Sequence, residues 1–155
     1  MQACDLHGLS GGRLLTTTEF RVAPVDLAAH VEASFLGEVV GSSEEYLTTA
    51  GPAGQADAGW GRVCPVPVVI GRAVACLGAE LGGSPVDVRK VARVRALAPA
   101  IVGEPLEALA RVRFARRTDV GLCLTLDVAV RRRRGGEILR FELAVEVVEA
   151  ARTAA

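Results

Sequence analysis

Aromatic side chains are scarce in this chain: four Phe, one Trp and one Tyr among 155 residues. The core must therefore be filled by Val, Leu and Ala rather than by stacked rings. Histidine is scarcer still, at two residues, and the four cysteines (Cys4, Cys64, Cys76 and Cys123) have no C-x-x-C spacing. That poverty of ligands argues against a metal site, and the residues call for no cofactor. The cysteines read as reduced and mostly buried in a cytoplasmic protein. No charge of one sign dominates: eighteen basic residues balance eighteen acidic ones. Nucleic acid, which rewards a strong positive field, is an unfavoured partner. The longest apolar run, Val66 to Leu81, is broken by Arg72 and Glu80 and is short for a membrane span. The N-terminal stretch MQACDLHGLSGG is polar and glycine-rich, unlike a secretory signal.

Apolar residues, by contrast, are plentiful, at 50% of the chain with a mean hydropathy of +0.34. A chain of this size makes one domain and buries roughly 70% of its unfolded surface. Residues 1–12 read as a flexible leader and 13–155 as the single domain. Arg13 to Ala23 contains the β-branched run LLTTTEFRV, a first strand. Pro24 stands where a helix would begin, with Asp26 in its first turn. Val25, Ala28, Ala29, Phe35 and Leu36 continue that helix to Gly37. Ser42 or Ser43 caps a short helix, and 49–61 is a long Gly- and Ala-rich loop.

Val66 to Leu81 predicts a helix of about four turns, apolar on most sides and therefore buried. Four alternating segments follow, at roughly 88–98, 104–116, 120–131 and 137–148. Leu122, Leu124, Leu126, Val128 and Val130 share one face. Leu139, Phe141, Leu143, Val145 and Val147 share another, and Leu106, Ala108, Ala110, Val112 and Phe114 a third. Gly135-Gly136 reads as the hairpin turn between the last two strands. The expected fold is α+β, a curved antiparallel sheet wrapped around a long central helix.

That order of elements resembles the hot-dog fold, and its details resemble the MaoC-like hydratase and dehydratase branch over residues 13–149. Three stretches carry the likeness: GEVVGSSEEYLTTAG (37–51), GRVCPVPVVIGRAV (61–74) and VRALAPAIVGEPLEALARV (94–112). The last holds the Pro99, Gly103, Glu104, Leu106 turn of that branch. The resemblance implies an acyl thioester, carried by coenzyme A or an acyl carrier protein, held at a subunit interface. It implies a homodimer, or a heterodimer with another hot-dog chain. The implied chemistry is addition or removal of water at a 3-hydroxyacyl group. The branch's catalytic Asp and His, in a G-D-x-N-P-x-H motif, fall here on Ser42 and on Tyr46 or Leu47. Neither serine nor tyrosine is a good acid or base near neutral pH.

Other residues must then supply the acid and base. Glu45, Asp57 and His30 are the candidates, set against readings as a first-turn helix charge, a solvated loop carboxylate and a surface histidine. Tyr46 could donate to a substrate carbonyl or simply pack. Trp60 could line an acyl tunnel or cap the core. Cys64 lies at the pocket as a thiolate nucleophile or an inert thiol. The amide of Val66 or Val68 would polarise the thioester carbonyl at the start of the central helix, where Pro65 and Pro67 offer no N–H. Gly71 belongs to the same binding face. Arg131, Arg132, Arg133 and Arg134 would contact coenzyme A phosphates or a carrier surface, or else form a solvated hairpin tip. Glu80, late in the central helix, is a thioesterase candidate or an exposed end-of-helix charge.

Overall fold

Period-two alternation builds most of this molecule, and one amphipathic helix covers what it buries. The computed structural model of the chain describes residues 11–17, 19–26, 63–81 and 85–148. Their elements are β1 (Leu14–Thr16), β2 (Val63–Cys64), α1 (Val66–Glu80), β3 (Val86–Ala96), β4 (Ala100–Ile101), β5 (Leu106–Arg117), β6 (Gly121–Arg132) and β7 (Glu137–Val148). The main sheet is antiparallel in the order β1-β5-β6-β7-β3, and β2 pairs with β4 in a separate two-stranded ribbon. The four long strands therefore lie where the alternation predicts them, within about two residues. The β2–β4 ribbon is new, because two-residue strands are too short to show a period.

One face of the sheet is aliphatic throughout. Leu106, Ala108, Ala110 and Val112 of β5 face it, beside Leu122 to Val130 of β6 and Leu139 to Val147 of β7. Each fully buried Leu or Val there stabilises the fold by about 1.5–3 kcal/mol before entropy is charged against it. Phe114 departs from the expected pattern. A bulge between Val112 and Phe114 sets Phe114 opposite Thr125, on the other face, where it is 57% exposed. One inserted residue inverts every side chain beyond it.

Helix α1 begins at Val66 because Pro65, at φ −56° and ψ 139°, is still extended, and Pro67 sits where a missing N–H costs nothing. Val69, Ala73, Leu77 and Leu81 repeat every fourth residue and, with Val68, enter the core. The helix is not buried all round, however. Pro67, Gly71, Ala75 and Ala79 form an exposed stripe. These small residues raise the apolar count of the segment while having little surface to gain from burial. A Cβ added at Gly71 would meet nothing within 4 Å. Gly71 therefore does not pack against the sheet, contrary to the expectation of a helix buried on most sides.

The first strand is shorter than expected. After Thr16 the Thr17 hydroxyl accepts the Ala108 N–H (2.9 Å), and regular pairing gives way to an isolated bridge between Phe20 and Leu106. Residues 24–26 are helical, and the Asp26 carboxylate accepts the Ala23 N–H at 2.8 Å, as a first-turn acid can. The β6–β7 turn also differs from expectation. Gly135 N–H closes onto the Arg132 carbonyl at 3.2 Å, so Arg133 and Arg134 are its central residues rather than the two glycines.

Candidate functional site

A cavity of about 280 Å³ opens at the N-terminus of α1. The helix side contributes Val63, Cys64, Val66 and Val69, and the opposite side is the turn from Ala96 to Ala100. Ile138 and Leu139 close its base. These two neighbours both face inward because β7 bulges against β6 between Val130 and Arg131. The Ile138 carbonyl accepts the N–H groups of Leu97 (2.9 Å) and Ala98 (3.2 Å), which pins the turn over the cavity.

The turn is held from its other side by the Pro99–Leu106 segment. Glu104 accepts the Ile101 N–H through Oε1 at 2.8 Å and Arg132 Nε through Oε2 at 2.9 Å. Arg132 also donates through Nη2 to the Pro99 carbonyl at 2.6 Å. Gly103, at φ +82°, turns the chain where a side chain would be strained, and its N–H reaches the Val22 carbonyl at 3.0 Å. The glycine-acid pair of the motif thus braces one wall of the cavity.

Among the described residues, the start of the helix has one donor without an acceptor. Pro67 has no N–H, and the amides of Val68 and Val69 both donate to the Pro65 carbonyl, at 3.0 and 3.3 Å. Val68 is therefore spent, and among the described residues no acceptor takes the Val66 N–H. It stands at the positive end of the helix dipole with no acidic residue in the first turn. Cys64 is 3% exposed, and its thiol is pushed up to about 11, first by burial and then by the Glu104 and Asp26 carboxylates. The dipole does not rescue the thiolate, so Cys64 is a neutral wall group at physiological pH.

Of the residues singled out from sequence, Cys64 and Val66 line this cavity and Gly71 does not. His30, Glu45, Tyr46, Asp57 and Trp60 lie outside the described residues, as do Ser42 and Leu47. Glu80 is at the far end of α1, roughly 21 Å along the helix from Val66 at 1.5 Å per residue. Leu97, Ala98, Ile138 and Leu139 were missed. Their signal was the adjacent pair Ile138-Leu139, an interruption of the alternation that a bulge resolves.

The arginine run is largely occupied. Arg131 Nε pairs with Glu107 (2.5 Å), Arg132 with Glu104 (2.9 Å) and Arg133 with Glu19 (2.7 Å). Arg134 has no acidic partner among the described residues. Within that same set no group of His, Cys, Asp and Glu could hold a metal, and no helix is long and apolar enough to cross a membrane.

No family model matches the chain, and no curated protein matches it by sequence. Solved structures do match. R-hydratase PhaJ1 from Pseudomonas aeruginosa superposes with a TM-score of 0.64 at 15% identity, over 94% of this chain and 86% of that one. A MaoC-like dehydratase from Rhodospirillum rubrum gives 0.60 at 15% identity, over 94% and 97%. The fluoroacetyl-CoA thioesterase FlK gives 0.57 at 16% identity, over 91% and 89%. Likeness at this identity carries the fold: the chain has the hot-dog fold, a sheet wrapped around a helix, as its element order implied.

Proposed function

We propose that this protein binds an acyl thioester, carried by coenzyme A or an acyl carrier protein, in the cavity at the start of α1. The observation that carries the reading is the pairing of an apolar cavity wall with a helix-start amide, Val66 N–H, that no described residue accepts. The acyl chain lies against Val69, Leu97 and Leu139, and the thioester carbonyl accepts from Val66 N–H. R-hydratase and MaoC-like dehydratase structures share the fold, which favours hydration or dehydration at a 3-hydroxyacyl group as the chemistry. The acid and base of that reaction would come from Glu45, Asp57 or His30, with Tyr46 and Trp60 against the substrate. Of the arginine run, Arg134, which no described carboxylate pairs, would offer its charge to a phosphate.

One observation favours a second reading. The described wall of the cavity holds a single titratable side chain, Cys64, and burial keeps it protonated. A subunit that holds the acyl chain while a second hot-dog chain does the chemistry needs nothing more. A thioesterase or a catalyst turned to another substrate would still need a carboxylate from outside that wall.

Mass spectrometry of the protein incubated with 3-hydroxyacyl, enoyl and saturated acyl-CoA separates these readings. Gain or loss of one water establishes the hydratase chemistry, and free coenzyme A a thioesterase. Unchanged thioesters that bind the wild type but not a Val69→Trp variant, whose indole fills the cavity, identify the holding subunit. No binding of any thioester rejects the proposal.

A further inference from the structure

The segment from Pro99 to Pro105 has a concavity on each side. Pro99 and Ala100 line the cavity at the start of α1. Glu104 and Pro105 line a cleft of about 380 Å³ at the β6–β7 hairpin tip, together with Arg132, Arg133 and Arg134. Three guanidinium groups against one carboxylate give this cleft a charge of +2. Glu104 is spent inward, one oxygen on the Ile101 N–H (2.8 Å) and the other on Arg132 Nε (2.9 Å).

Arg132 belongs to both concavities. It lines the cleft, and its Nη2 donates to the carbonyl of Pro99, on the cavity side, at 2.6 Å. A guanidinium has five N–H donors, and no described residue accepts from the Nη1 of Arg132. Arg134 likewise has no acidic partner among the described residues. Arg133 shares Glu19 with Arg21, and Arg21 Nη1 returns to the Gly103 carbonyl at 3.0 Å. The turn is thus encircled by charged contacts. What they hold is otherwise slight, since β4 pairs with β2 through two residues only. An element with so few hydrogen bonds opens at low free energy unless side chains secure it.

We infer that the hairpin cleft binds a phosphate dianion and that its occupation stiffens the cavity wall through Arg132. A phosphate near neutral pH carries close to two negative charges and three strong acceptor oxygens, which answers the charge of the cleft. Its oxygens take the outward donors of Arg132 and Arg134 in charge-assisted bonds. Arg132 is then held from both sides, so its Nε and Nη2 stay on Glu104 and Pro99. Neutralising the tip also removes the repulsion among three neighbouring cations. The coupling is reciprocal: a ligand that fixes Pro99 from the cavity side tightens the phosphate by the same factor. The inference builds on the phosphate contact proposed for Arg134 and holds whatever ligand the cavity takes.

Amide exchange followed by NMR tests this, with inorganic phosphate titrated against chloride at constant pH and ionic strength. The Gly135 amide shift reports binding at the tip. The N–H groups of Leu97, Ala98 and Ile101 should exchange about fivefold more slowly at saturation, while Gly121, at the opposite end of β6, is unaffected. Arg134→Ser should need about tenfold more phosphate and reach the same protection. Arg132→Lys keeps the charge without the fork, so phosphate should still bind while the slowing disappears. Coenzyme A, with and without its 3′-phosphate, identifies the source. Greater potency than inorganic phosphate, lost with the 3′-phosphate, assigns the group to the thioester carrier, and equal potency assigns a free phosphate. No Gly135 shift with any probe overturns the inference together with the Arg134 contact. A shift without slower exchange at Ile101, or slowing that survives Arg132→Lys, overturns the coupling alone.

Discussion

Two concavities among the described residues share strand β7 and are chemically opposite. The described wall of the cavity at the start of α1 is Val, Leu, Ile, Ala and Pro with one protonated thiol. The larger groove on the outer face of the sheet, about 690 Å³, is lined by Arg93, Arg111, Arg131 and Arg140 facing Asp127, Glu137 and Glu142. Size would favour the groove as a ligand site, and chemistry favours the cavity. Most charges of the groove are already answered within the chain: Asp127 (3.4 Å) and Glu142 (3.2 Å) by Arg113, Arg131 by Glu107, Arg140 by Glu137. A ligand there would have to displace existing partners, whereas among the described residues the cavity offers apolar surface and an amide, Val66 N–H, with no acceptor. Exposed pairs of this kind contribute little stability each, but together they leave the sheet's outer face soluble and the arginines occupied.

The comparison breaks most visibly in β6, whose alternate residues belong to the two faces. Leu126→Ala should destabilise the protein by about 2–5 kcal/mol in chemical denaturation, because Leu126 is fully buried and its loss leaves a void. Thr125→Ala, one residue along on the other face, should change stability by about 0.5 kcal/mol or less. Equal losses would mean that both faces are packed.

Arg132 sharpens the contrast, since it is the member of the arginine run that reaches the cavity wall. Arg132→Gln should cost about 1–2 kcal/mol through the lost Glu104 and Pro99 bonds. It should also weaken thioester binding, while Arg134→Ser leaves the fold unchanged. A loss of binding in Arg134→Ser alone would return the run to a direct phosphate contact. Gly71→Ala should stabilise by about 0.5–1 kcal/mol, as removal of a glycine from an exposed helix face does. Destabilisation would mean that something covers this stripe.

The smallest effect is confined to acid. Glu146 is held below the usual carboxylate range, first by its hydrogen bond from Arg89 and further by one from the Thr118 hydroxyl at 3.2 Å, against the opposing pull of burial. A carboxylate with a lowered folded pKa adds stability above its unfolded value and loses it as pH falls through the folded one. Wild type should therefore exceed Glu146→Gln in stability near neutrality, with the gap closing below about pH 4. A gap independent of pH would assign the effect to packing.

Much of this was legible in the chain itself. Period-two alternation located four strands, and the Val66–Leu81 run with its flanking prolines located the helix, because burial acts on single side chains whose spacing is written in the sequence. The braced turn was visible as Pro99, Gly103 and Glu104, but not what braced it. Arg132 meets Glu104 only once the strands are paired, at a separation of 28 residues. The bulges at Phe114 and Ile138 were invisible for the same reason. A bulge is a mismatch between two strands, and neither strand records it alone. The Val66 amide that no described residue accepts and the raised Cys64 thiol likewise depend on how folding brings distant groups together. Composition and spacing determined which residues would seek the interior. Tertiary structure decided which polar groups would be satisfied there, because a hydrogen bond or an ion pair has two ends and the sequence orders only one at a time.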